Sequence, residues 1–76
     1  MEELVRTIAK ALVEDQAAVD VRTVQGDGEI IIELRVAPED MGKVIGKQGR
    51  IAKAIRVVVK AVAVRENKKV TVEIVR

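Results

Sequence analysis

Residues 46–49 read Gly46-Lys47-Gln48-Gly49, with Arg50 next, and this short run holds the residue types best able to do chemistry. Glycine admits positive φ and lets another molecule approach the main chain closely. Two glycines around two polar residues therefore bend the chain sharply and present bare N–H groups. A helix starting just after them points its positive end at the same spot, which makes an anion site. Lys47 and Arg50 add mobile positive charge. The chemistry implied is capture of a phosphate, not its hydrolysis. A P-loop needs four residues between its glycines, then lysine and a hydroxyl residue. Here Gly42 and Gly46 enclose three, and Gln48 follows Lys47. The dinucleotide fingerprint Gly-x-Gly-x-x-Gly has no match either. Taken alone, Gly-x-x-Gly is also an ordinary corner between helices, so its surroundings must give it meaning.

Those surroundings lack other reactive groupings. The chain has no histidine, cysteine, serine or aromatic residue. The commonest general base, thiolate chemistry and the ring platforms for unpaired bases are therefore absent. Glu39 and Asp40 are adjacent carboxylates, but they follow Pro38 in the first turn of an expected helix, where the helix dipole accounts for them. The expectation is a binding protein and not an enzyme, with no catalytic residue, metal, cofactor or small-molecule substrate.

Charge is distributed unevenly. Of 14 basic residues, seven lie in residues 41–65 (Lys43, Lys47, Arg50, Lys53, Arg56, Lys60 and Arg65), where there is no acid. The other seven share the remaining chain with all 12 acids, so the net +2 divides into +7 on one segment and −5 elsewhere. A merely solvated helix face usually interleaves acids for i,i+4 pairing. Their absence favours a surface for a polyanion.

The elements that must position this loop follow from periodicity. Seventy-six residues, 49% hydrophobic and 34% charged, suit one globular domain with a modest core. No apolar run is long enough to span a membrane and no secretory leader opens the chain, so the expected location is cytoplasmic. Residues 2–14 read as an amphipathic helix and 15–18 as a connector. Residues 19–25 and 29–36 alternate around Gly26-Asp27-Gly28, which predicts a hairpin. Val21 and Thr23 share the inward face of the first strand. Pro38 opens a second helix that Gly46 ends. A third runs from Gly49 or Arg50 to about Val64, with Ile51, Ala54, Ile55, Val58 and Val62 as its apolar stripe. Residues 66–68 turn, and 70–75 form the last strand. The order α-β-β-α-α-β predicts a two-layer α+β domain. Its three-stranded mixed sheet is covered on one face by three helices, with the last strand parallel to the second. Val57, Val59 and Val64 exceed what one core stripe needs and mark a surface for a partner, a second copy of the chain included.

Val44-Ile45-Gly46-Lys47-Gln48-Gly49-Arg50-Ile51 resembles the Ile-Gly-x-x-Gly-x-x-Ile signature of KH domains, its last isoleucine one place early at Ile51. The element order resembles the type II, bacterial arrangement. Residues 36–56 are similar to the small stand-alone bacterial KH proteins, and the likeness spans essentially the whole chain. It departs from them in lacking a proline in residues 15–18 and in lacking aromatics. The resemblance implies a single KH domain over residues 1–76. It also implies a single-stranded RNA-binding protein of the RNA-chaperone kind, associated with control of cell elongation, division and shape, and a larger KH protein as partner.

On this reading the RNA-binding residues are Lys43, Ile45, Gly46, Lys47, Gln48, Gly49, Arg50, Ile51 and Lys53. The loop and its bases hold phosphates of about four unpaired nucleotides. Ile45, Ile51 and strand-two residues offer an apolar floor, with core packing an equal alternative for the two isoleucines. Strand-edge groups read bases, with low sequence selectivity.

Overall fold

Two acids at its start and a lysine at its end suit the first helix to its own dipole. In the computed structural model, which describes residues 1–75, α1 spans Glu2–Leu12, with Glu2 and Glu3 in the first turn and Lys10 in the last. It ends two residues before the expected residue 14. Val13 turns extended and buried, and the next two N–H groups bond to a carboxylate from another segment. The connector contains a 3-10 turn, Gln16–Ala18.

Alternation builds the sheet as expected. β1 (Asp20–Gln25) pairs antiparallel with β2 (Ile30–Arg35), Asp20 opposite Arg35 and Gln25 opposite Ile30. β3 (Val70–Ile74) lies parallel to β2, Ile30 opposite Val70 and Leu34 opposite Ile74. β2 is thus the central strand. Val21, Ile32, Leu34 and Val72 point inward and meet Val5 and Ala9 of α1. Each fully buried aliphatic side chain contributes ~1.5–3 kcal/mol through its removal from water. Thr23 shares the inward parity of Val21 yet stays exposed, where its hydroxyl donates to the Glu2 carboxylate.

Pro38 opens a 3-10 turn, Pro38–Asp40, before α2 (Met41–Ile45). α3 spans Arg50–Arg65. Its end is closed by Asn67 at φ 56°, with Asn67 N–H donating to Val64 O and Lys68 N–H to Ala63 O.

The buried stripe of α3 differs from the one expected. Ala52, Ile55, Val59 and Ala63 face the core, while Ala54 and Val58 are exposed and Ile51 and Val62 are half-buried. Only Ile55 belongs to both sets. Ile55 and Val59 pack into the core cluster with the sheet, Ala52 and Ala63 are buried at either end of that stripe, and the larger aliphatics Val57, Val58 and Val64 fall outside it. Val59, expected on the partner surface, is 1% exposed and belongs to the core. Val57 and Val64 do remain outside, 60% and 68% exposed. Among the described residues no helix is long and apolar enough to cross a membrane.

Candidate nucleic-acid interface

Gly46 ends α2 with φ 78° and ψ 173°, its N–H donating to Gly42 O at 2.8 Å. A Cβ there would lie 2.6 Å from Ile51 Cγ1 and 2.9 Å from Ile51 N. Glycine is thus required twice, by φ and by the side chain of Ile51. Gln48 (φ 58°) and Gly49 (φ 74°, ψ 15°) continue in the left-handed region and carry the chain into α3. A Cβ on Gly49 would meet nothing within 4 Å, so the open space sought for an approaching phosphodiester lies at Gly49, whereas Gly46 makes room for Ile51.

The loop N–H groups are used unequally. Gly49 N–H donates to Gly46 O at 3.1 Å, while those of Lys47 and Gln48 find no acceptor among the described residues. These two lie in the 3-10 turn Lys47–Gly49 that leads into the 16-residue α3, just before its N-cap Gly49 and close to the positive end of the helix dipole. Lys47, Arg50 and Lys53 are exposed around them. Arg50 Nη2 lies 3.4 Å from Gln48 Oε1, a marginal hydrogen bond that places the guanidinium over the loop.

The two isoleucines separate. Ile45 lines an open groove of about 490 Å³ with Val36, Pro38, Met41, Gly42 and Gly46. Ile51 packs against the core and lines a different groove with Ile8 and Leu12 of α1 and Ala54 and Val58 of α3. The floor beside the loop is therefore Ile45 with Val36, just past β2. β2 is central and both its edges are paired, so it has no open edge for base readout. The free edge near α3 belongs to β3.

A sequence profile described as KhpA/KhpB, KH domain matches residues 2–74. The chain belongs to the KhpA/KhpB KH-domain family. Among KhpA proteins, this chain is similar to the RNA-binding protein KhpA of Caldanaerobacter subterraneus subsp. tengcongensis, 67% identical over 99% of this chain and 100% of the relative. The RNA-binding protein KhpA of Clostridium perfringens matches with the same identity and coverage. Among solved structures, Era of Aquifex aeolicus bound to GDP·AlF4− aligns with a TM-score of 0.59 and 23% identity, over 96% of this chain and 28% of that longer one, which shows the fold.

Within this KhpA/KhpB-family domain, the seven bases of residues 41–65 do not act as one patch. Arg56 Nε donates to Val72 O of β3 at 3.2 Å. Lys43 Nζ lies 3.0 Å from Asp40 Oδ1 and 3.4 Å from Glu14 Oε1, and Asp40 holds its pKa above the usual lysine value. Lys43 is thereby paired with two carboxylates, one of them supplied from residue 14. Asp40 itself was read only as a first-turn acid. It is 2% exposed, and its carboxylate accepts hydrogen bonds from Asp15 N–H at 3.0 Å, Lys43 Nζ, and Glu14 N–H at 3.3 Å. The Asp15 N–H is the largest cause of its pKa falling below the usual aspartate value, followed by Lys43. The i,i+3 spacing of Asp40 and Lys43 was the one available signal.

Proposed function

We propose that this chain is a cytoplasmic, single-domain KH protein that binds single-stranded RNA as a chaperone, holding phosphates with the Gly46-Lys47-Gln48-Gly49 loop and the start of α3. One observation carries the reading. The unengaged N–H groups of Lys47 and Gln48 sit at the positive end of a long helix, beside the exposed Lys47, Arg50 and Lys53. The two similar KhpA proteins are named as RNA-binding proteins, which supports it. The loop amides and Lys47 take a phosphate, Arg50 and Lys53 its neighbours, and Ile45 offers apolar contact to a base. Gly46 and Ile51 act from beneath, shaping the loop, and Gly49 leaves room for the backbone. Lys43 contributes through its carboxylate pairs. With no ring to stack on and Val72 O occupied by Arg56, sequence selectivity is low. Nothing in the arrangement calls for catalysis. The test is the double substitution Lys47→Asp with Gln48→Asp. Both side chains are exposed, so melting is expected to stay unchanged while affinity for single-stranded RNA falls at least ~tenfold through like-charge repulsion. Unchanged RNA titrations remove the loop from the mechanism.

A second reading concerns partners. Val57, Val58 and Val64, 60%, 43% and 68% exposed, make an apolar strip along α3 with the exposed Ala54 and Ala61. Such a strip suits a homodimer or a larger, KhpB-like KH protein. Val64→Glu is expected to move a dimer towards monomer in sedimentation. A parent chain that stays monomeric when concentrated, and shows no affinity for a KhpB-type protein, removes this reading.

A further inference from the structure

Asp40 is the one buried charged side chain among the described residues. A buried carboxylate is tolerated only when its lone pairs are engaged, and this one is well engaged: Oδ1 accepts from Glu14 N–H and Lys43 Nζ, Oδ2 from Asp15 N–H. Lys43 closes the cluster by reaching the Glu14 carboxylate as well. The bonds join the exit of α1 to Asp40, 26 and 25 residues on in sequence, the residue immediately before α2. α2 has five residues, far below the length at which a helix holds itself in water. Its far end runs straight into Gly46, the first residue of the gripping loop. One end of this short strut is thus fixed by a carboxylate and the other carries the loop.

We infer that Asp40 is a positioning residue for the RNA grip: by bonding the Glu14 and Asp15 amides and Lys43, its carboxylate sets the angle at which α2 delivers the N–H groups of Lys47 and Gln48 to a phosphate. The inference rests on the phosphate-grip reading above. It also gives Lys43 a role distinct from that of Lys47, since Lys43 fixes the strut and holds no phosphate.

Asp40→Asn keeps the size of the side chain but removes its charge and turns one acceptor into a donor facing other donors. In the full chain, well below its melting temperature, its affinity for a labelled oligouridine is expected to weaken about threefold to tenfold. The slope of log K against log salt stays that of the parent, and the amide NMR shifts of residues 46–49 move together with those of residues 14 and 15. A folded Asp40→Asn protein with parental affinity and unmoved loop shifts reduces Asp40 to a stabiliser of the fold and overturns the inference. If Asp40→Asn does not fold, Lys43→Gln, at a solvent-exposed position, carries the test. Weaker binding at an unchanged slope is expected. A slope shallower by about 0.7, the single-strand value for one phosphate, makes Lys43 a direct ligand and overturns its role in the strut. Lys47→Asp with Gln48→Asp separates the two levels. If that double variant still binds RNA, the grip itself fails. If it does not bind while Asp40→Asn and Lys43→Gln match the parent, the positioning role alone fails.

Discussion

Two glycine-containing turns in this chain have different properties. In the hairpin turn Gly26 N–H donates to Glu29 O at 2.8 Å, Gly28 takes φ 78°, and the N–H groups of Asp27 and Gly28 have no acceptor among the described residues. In the loop before α3 the glycines again take positive φ, and the N–H groups of Lys47 and Gln48 are again spare. Spare amides therefore do not distinguish a binding loop from a hairpin turn. The hairpin turn carries Asp27 and Glu29 and leads into a strand, which has little net dipole. The other turn carries Lys47 and opens a 16-residue helix. On the proposed reading, the field behind the amides, and not their number, makes the anion site.

The largest expected effect breaks the comparison at its glycines. Gly46→Ala combines an unfavourable φ with a 2.6 Å approach to Ile51, and should cost about 3 kcal/mol or more in urea unfolding. Gly28→Ala has the same φ but nothing within 4 Å of the new Cβ, so only the backbone cost of about 1 kcal/mol is expected. Equal losses would show that Ile51 yields freely and that Gly46 is not a close-packed joint. Next comes the loss of RNA affinity in Lys47→Asp with Gln48→Asp. The smallest effect is in the salt dependence. Arg50→Gln and Lys53→Gln should each make the single-strand slope shallower by up to about 0.7. Asp27→Lys, which puts a positive charge beside spare amides without a helix end, should leave RNA affinity and slope as they were. A hairpin variant that gains RNA binding would mean that charge alone makes the site.

Much of this was legible in the sequence because it is local. Ile30, Ile32 and Leu34 alternate with polar neighbours, Gly46 stops a helix, and Arg50 starts one, each from chemistry contained within a few residues. What escaped depends on distant partners. Nothing near Asp40 announces that its carboxylate receives the amides of Glu14 and Asp15. Val59 is chemically identical to Val57 and Val58, yet only Val59 is in the core. α3 buries the small Ala52 and Ala63 together with Ile55 and Val59, so counting large apolar residues rotated the stripe. Likewise, the acid-free run of residues 41–65 looked like one reservoir of charge. Lys43 had partners outside it, and Arg56 bonded a strand carbonyl.

That last bond has a consequence for solubility. In the parallel ladder, Lys69 O accepts from Ile30 N–H and Val75 N–H donates to Leu34 O, so the alternate residues Val70, Val72 and Ile74 turn their amides and carbonyls outward. An outward row of this kind is a template on which a strand from another molecule can zip up, the first step towards fibrous aggregates. The guanidinium of Arg56 occupies the middle carbonyl of the row and sets a fixed positive charge across it. An incoming strand would have to displace that bond before forming its second pair of hydrogen bonds, so the edge resists propagation at its centre.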